Sequence, residues 1–180
     1  MKFEETRLKG AFIVEPDVFE DERGCFAPTW SEAEFKRQGL DARVVQCNTS
    51  YNRRKGTLRG MHFQRNPMVE VKLVRCTMGS IHDVIIDLRP ESPTFKQWTS
   101  VVLTAVNRKS FYIPERFAHG FQTLEDDTEV CYQVSQYYSA EHAAGVRWDD
   151  PAFAIEWPPE DERTISERDT SFPDFTEITW

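Results

Sequence analysis

Short runs of apolar, β-branched and aromatic residues recur along the chain, each closed off by Gly, Pro, Asn, Asp or Ser. This pattern predicts strands over 11–14, 43–47, 57–63, 71–77, 81–88, 99–105, 111–113, 119–123 and 129–135. Alternation assigns faces in two of them. In Val71-Lys72-Leu73-Val74-Arg75-Cys76, Lys72 shares a face with Val74 and Cys76, while Tyr132 shares one with Val130 and Val134, leaving Cys131 and Gln133 on the other. A helical pattern occurs once, where Ser31 caps Glu32-Ala33-Glu34-Phe35-Lys36 and Glu34 sits three residues on for a capping box. So many short strands in roughly 125 residues predict an all-β fold, a sandwich, jelly roll or barrel, with few short helices. No repeat or low-complexity tract interrupts the chain, so residues 1–180 read as a single domain. From about residue 158 the polar stretch Pro158-Pro159-Glu160-Asp161-Glu162-Arg163 leads to a tail bearing Phe172, Phe175 and Trp180, aromatics that predict docking.

Charge and composition narrow the classes of function. Against 22 Lys+Arg stand 30 Asp+Glu, a formal net charge of -8. An acidic surface disfavours a nucleic-acid backbone or an anionic membrane surface as partner, without excluding a small anion held inside. The N-terminal residues lack the apolar run of a signal peptide, and no stretch approaches the ~18 apolar residues of a membrane span. Cys25, Cys47, Cys76 and Cys131 are scattered without CxxC spacing, which reads as reduced thiols and a cytoplasmic setting.

Candidate chemistry starts from the histidines, because there are only four: His62, His82, His119 and His142. A metal site needs three or four convergent donors. His62 has Gly60 and Gln64 at i±2, and His82 and Asp83 face opposite sides of a strand, so a metal-free site is expected. In Thr57-Leu58-Arg59-Gly60-Met61-His62-Phe63-Gln64, Arg59 and His62 reach one cavity only if Gly60 hosts a bulge or sharp twist; otherwise His62 is a partly exposed histidine at a strand end. Lys72 on an apolar face is snorkelling or functional. Tyr132 is a core tyrosine with a backbone acceptor unless something else engages its hydroxyl. His119, just before Gly120, reads as capping a turn, and Glu125-Asp126-Asp127 as a solvated hairpin tip.

Eight segments taken in order resemble a known family: Asp21-Glu22-Arg23-Gly24-Cys25-Phe26, Gln46-Cys47-Asn48, Leu58 to Gln64, Lys72-Leu73-Val74, Asp83 to Arg89, Ser92-Pro93-Thr94-Phe95, Ile113-Pro114-Glu115 with Ala118-His119-Gly120-Phe121, and Trp148-Asp149-Asp150-Pro151. The family is the nucleotide-sugar 3,5-epimerases typified by dTDP-4-dehydrorhamnose 3,5-epimerase. The resemblance implies a cupin-type jelly roll, no metal or other cofactor, and a homodimer whose N-terminal strands cross to the partner. It implies that His62 is the base, oriented by Asp169, that Tyr132 reprotonates from the opposite face, and that Lys72 stabilises an enolate. Arg59, Asn48 and His119 would line the sugar and diphosphate pocket, with Gln46, Phe26 and Arg168 also binding substrate. Tyr138 would pack beside the substrate, and Arg23 would reach in from the other subunit. Pro28, Thr49 and Ala143 depart from the family pattern, and Arg168 replaces a lysine with charge kept. An epimerase of one centre, one acting on a CDP- or GDP-linked sugar, a non-catalytic sugar-binding cupin and a metal-dependent cupin enzyme remain as alternatives.

Overall fold

A computed structural model describes residues 1–178 and 180. The chain opens with β1 (Lys2–Glu5) and β2 (Phe12–Glu15), a short hairpin of β3 (Phe19–Asp21) and β4 (Gly24–Phe26), and helix α1 (Glu32–Arg37). Eight strands follow: β5 (Gln46–Asn52), β6 (Thr57–Gln64), β7 (Lys72–Met78), β8 (Ser80–Asp87), β9 (Trp98–Thr104), β10 (Ser110–Ile113), β11 (Phe117–Thr123) and β12 (Thr128–Val134). The C-terminal part adds β13 (Ala143–Gly145), β14 (Thr164–Ile165) and the one-turn helix α2 (Glu167–Thr170).

Most expected strands lie within a few residues of their predicted bounds. The exception is β5, which occupies 46–52 rather than 43–47. Its run Gln46-Cys47-Asn48-Thr49-Ser50-Tyr51-Asn52 has no apolar face to betray it, yet it pairs along its full length with β12, from Asn52↔Thr128 to Gln46↔Val134. Ser31 does hold the N-cap position of α1, but its side chain makes no capping bond. Glu34, the other half of the expected capping box, instead accepts a 2.8 Å bond from the N-terminal ammonium of Met1.

Two sheets face each other, one in the order β1-β2-β10-β7-β12-β5 and the other β13-β6-β11-β8-β9, with β14 parallel to the start of β6. The architecture is a cupin-type jelly roll. Between the sheets Val74, Cys76, Phe111, Ile113 and Val130 meet Ile81, Ile85, Leu103, Phe117 and Phe121. Outside the second sheet a separate core joins Met61, Phe63, Val84 and Ile86 to Trp157, Phe175 and Trp180 of the C-terminal segment. Every residue of β11 is consequently buried, and its sequence shows no clean alternation. The outer face of the first sheet is covered at one end only, where Phe35 of α1 packs on Leu73 and Tyr112. No helix among the described residues is long and apolar enough to cross a membrane.

Gly60 meets the condition for Arg59 and His62 to share a cavity. In the β6–β11 ladder His62 pairs with His119 and Arg59 with Phe121, so three steps on β6 match two on β11. Gly60 has φ +132, and a Cβ there would lie 2.5 Å from the Gly120 Cα. Only glycine accommodates that approach, and the extra residue turns Arg59 and His62 toward one cavity.

Beyond β8, a buried carboxylate organises the connection to β9. Asp87 accepts bonds from Arg89 Nε (2.8 Å), Ser92 Oγ (2.6 Å) and Thr94 Oγ1 (2.7 Å). Burial works to raise its pKa, but these donors outweigh burial and hold it below its ordinary 3.8. A depressed carboxyl stabilises the fold above the unfolded value, and that contribution disappears as pH falls through the folded one. Asp87→Asn is therefore expected to cost about 2 kcal/mol at neutral pH and to flatten the loss of stability below pH 3.8. Urea unfolding of both proteins across that range checks it; a variant with the wild-type acid slope would disprove the linkage.

Candidate active site

His62 stands on β6 facing the space between the sheets, and Asp169 of α2 reaches it from the C-terminal segment. His62 Nε2 and Asp169 Oδ1 are 2.6 Å apart. The bulged Gly60 N–H donates to the other carboxylate oxygen at 3.2 Å, so the irregularity that turns His62 inward also helps seat its partner. Ser166 caps α2 by accepting the Asp169 N–H. Burial pushes the Asp169 pKa up, but bonds from His62, Gly60 and Ser166 prevail and keep it below the ordinary carboxylate value. With Nε2 committed to an ionised carboxylate, His62 has Nδ1 left for chemistry. Phe172 packs edge-on to its ring, 6.3 Å between centroids.

The opposite wall belongs to the first sheet. Tyr132 on β12 lines the same cavity of about 190 Å3 as His62, Arg59, Lys72 and His119. Its ring packs on the inter-sheet core, but its hydroxyl has no backbone or side-chain partner among the described residues, so it is not a core tyrosine tied to a backbone acceptor. Lys72 Nζ lies 3.1 Å from Glu70 Oε1, with both side chains nearly buried. The cavity opens into a second space of about 260 Å3 lined by Gln46, Asn48, Glu70, Tyr138, Ala143 and Arg168, together with His62, Lys72 and Tyr132. Arg59 is steered by Asn52, whose buried Oδ1 accepts its Nε–H at 2.7 Å.

Thus His62, Asp169, Tyr132, Lys72, Arg59, His119, Gln46, Asn48, Tyr138 and Arg168 surround one connected space. Arg23 and Phe26 do not. They lie on the β3–β4 hairpin, Phe26 being 69% exposed, and Arg23 is paired with Asp21 of its own hairpin. Within a single chain Arg23 lies apart from Arg59, Lys72 and Arg168; the role that the resemblance implies for it is on the other subunit's pocket. His119 is not a turn cap either: it lies inside β11 with Nε2 2.7 Å from Asp83 Oδ1. Glu70 and Asn52 escaped the sequence reading, and Asp83 entered it without a link to His119. The signal for Asp83 is an acidic residue at an inward position between Ile81 and Ile85; for Asn52 and Glu70 no local pattern exists. No three metal-ligating side chains cluster among the described residues.

Fold and side chains together define a cupin-type jelly roll with titratable side chains gathered inside its barrel. The family described as dTDP-4-dehydrorhamnose 3,5-epimerase matches residues 5–177. Over 173 residues the chain is 47% identical to the dTDP-4-dehydrorhamnose 3,5-epimerase of Methanothermobacter thermautotrophicus, covering 95% of this chain and 92% of the relative. A crystal structure of the Bacillus anthracis str. Ames protein of that name, with TDP and PPi bound, superimposes with a TM-score of 0.93 at 42% identity, covering 97% and 99% of the two chains. A 3,5-epimerase from Legionella pneumophila in complex with dTDP-4-keto-L-rhamnose gives 0.89 at 36% identity, covering 93% and 89%. The chain belongs to the dTDP-4-dehydrorhamnose 3,5-epimerase family, whose members are isomerases.

Proposed function

We propose that this protein epimerises a nucleotide-diphosphate-linked 4-keto-6-deoxyhexose at C3 and C5, of the dTDP-4-dehydro-6-deoxyglucose type, within deoxysugar biosynthesis. One observation carries the reading: His62, held by Asp169, and Tyr132, whose hydroxyl has no protein partner among the described residues, line one cavity from facing sheets. The C4 carbonyl acidifies the C–H bonds on both sides of it. His62 Nδ1 removes a proton from one face, Lys72 meets the charge that develops on the C4 oxygen, and Tyr132 returns a proton from the other face. Lys72 is nearly buried, and an ammonium there acts through a poorer dielectric than water. Glu70 holds that ammonium in place.

Arg59, Arg168, Asn48, Gln46 and His119 bind the diphosphate and the sugar, and Tyr138, 62% exposed at the rim, packs beside the nucleoside. The net charge of -8 describes the outside of the molecule; the arginines and Lys72 meet two phosphates locally. The second subunit of a homodimer supplies Arg23 and Phe26. Phe19 and Phe26 are 61% and 69% exposed on a hairpin, and the outer face of the first sheet carries an open groove lined by Cys47, Thr49, Arg75 and Cys131. Two large aromatic side chains exposed on one hairpin suit burial against a second subunit.

Incubation with dTDP-4-keto-6-deoxyglucose in deuterated water tests the reaction. Deuterium at C3 and C5 is the expected result, and no incorporation with any nucleotide-linked 4-keto sugar would disprove it. Because Pro28 and Ala143 stand where the family carries glutamates, selection for thymine is expected to be weak, with dTDP and UDP binding within about tenfold of each other, about 1.4 kcal/mol. Calorimetric affinities for the two nucleotides check that expectation; a hundredfold preference would overturn it.

A further inference from the structure

Deep in the barrel lies a second histidine–carboxylate pair, which the proton transfers above leave unused. His119 Nε2 is 2.7 Å from Asp83 Oδ1, and the two side chains are 9% and 0% exposed. His119 is the cross-strand partner of His62. Cross-strand partners project to the same face of a sheet, so the two imidazoles stand side by side, and both line the cavity that holds Arg59, Lys72 and Tyr132. The carboxylates behind them differ. Asp169 uses one oxygen for His62 and the other for the Gly60 N–H. Asp83 Oδ2 is buried with no partner, leaving His119 as the one side chain that hydrogen-bonds this carboxylate among the described residues. Buried polar atoms without partners are rare in native proteins and call for a reason.

An ionised carboxylate only accepts, so Nε2 carries a hydrogen and Nδ1 is the ring atom left for the cavity. Facing a phosphate oxygen, Nδ1 must also carry a proton. We infer that His119 takes up a second proton when the substrate's diphosphate enters, with Nδ1–H on the anion and Nε2–H on Asp83, and that Asp83 is the positioning residue for that charge. This rests on the reading of the barrel as a nucleotide-sugar site. The groups facing the ring are Asp83 from β8, His62 and Arg59 from β6, Lys72 from β7 and Tyr132 from β12. Arg59 and Lys72, the latter accompanied by Glu70, face the same cavity. A diphosphate there adds negative charge beside the ring and favours the imidazolium. Arg59 also lines the outer groove beside Arg53 and Arg54, so it marks the way by which the anion arrives. Affinity for the diphosphate consequently falls as pH rises, because binding consumes a proton.

The test uses dTDP-glucose, whose esterified diphosphate exchanges no proton of its own near neutrality and whose sugar lacks the reactive ketone. Calorimetry at pH 7.5 in two buffers of different ionisation enthalpy counts the protons taken up. About one proton per ligand is expected in the wild type, and also in His62→Asn, falling to near zero in Asp83→Asn and His119→Asn. In Asp83→Asn affinity is expected to drop about tenfold at pH 7 and to become independent of pH. Ring 15N spectra of the wild type add a readout that needs no variant: Nδ1 of His119 should be protonated in the complex and unprotonated without ligand. If Asp83→Asn does not fold, these spectra and His119→Asn decide. Tight binding with no proton uptake, or uptake undiminished without Asp83, overturns the inference while leaving the nucleotide-sugar site standing. Absence of any dTDP-glucose binding strikes the underlying reading instead.

Discussion

His62→Asn is expected to abolish deuterium incorporation at C3 and C5 together, lowering exchange by about 10²- to 10⁴-fold, the contribution of a positioned general base. The two centres flank a single carbonyl, and the imidazole whose Nε2 is fixed by Asp169 presents one Nδ1 to the cavity. Loss of that nitrogen removes the acceptor for both protons. Asparagine is the informative replacement because its amide still donates toward Asp169, so the carboxylate is not left buried and alone. Melting within a few degrees of the wild type would show that the fold is retained. Exchange is read by mass spectrometry and by the separate C3 and C5 proton signals of the recovered sugar. Persistent exchange at one centre would contradict a single base for both. It would also direct attention to His119, which stands beside His62 on the neighbouring strand.

How much of this was legible in the sequence depends on range. Strands β6 to β12 announce themselves through β-branched and aromatic runs because each buries apolar side chains, β7 to β12 in the inter-sheet core and β6 through Met61 and Phe63 in the outer one. At Gly60 the sequence stated only a condition, that a cation and an imidazole three residues apart share a cavity if the strand breaks step, and the β6–β11 register meets it. By contrast, β5 is polar on both faces, since one looks into a polar cavity and the other outward, so period and propensity carry no signal there. Asp169 is 107 residues from His62, and its place beside the imidazole followed from family resemblance alone. The Asp83–His119 contact needs the β8–β11 register, in which Asp83 faces Phe121 and His119 faces Ile85. Reading Asp83 only against its neighbour His82 set it aside. Arg23 and Phe26 are the opposite case: their motif is plain in the sequence, but a single chain leaves them on the surface.

Tyr132→Phe is expected to separate two events that His62→Asn removes together. Phenylalanine keeps the ring that packs on the inter-sheet core, and the lost hydroxyl had no protein partner among the described residues, so no buried group is stranded. What disappears is the proton donor on the first sheet. His62 on the second sheet still abstracts a proton, Lys72 still faces the enolate oxygen, and the base can return solvent deuterium to the face it came from. Deuterium incorporation with retained configuration is therefore expected to continue, while formation of the inverted product falls about 10²- to 10³-fold. The measurement is the ratio of the two rates on the same keto sugar, from deuterium content and from product configuration by NMR. A large rise in that ratio follows from donors and acceptors on opposite walls of one barrel. Equal losses of exchange and inversion would mean that Tyr132 acts before or during proton removal, and a two-face mechanism built on this pair would fall.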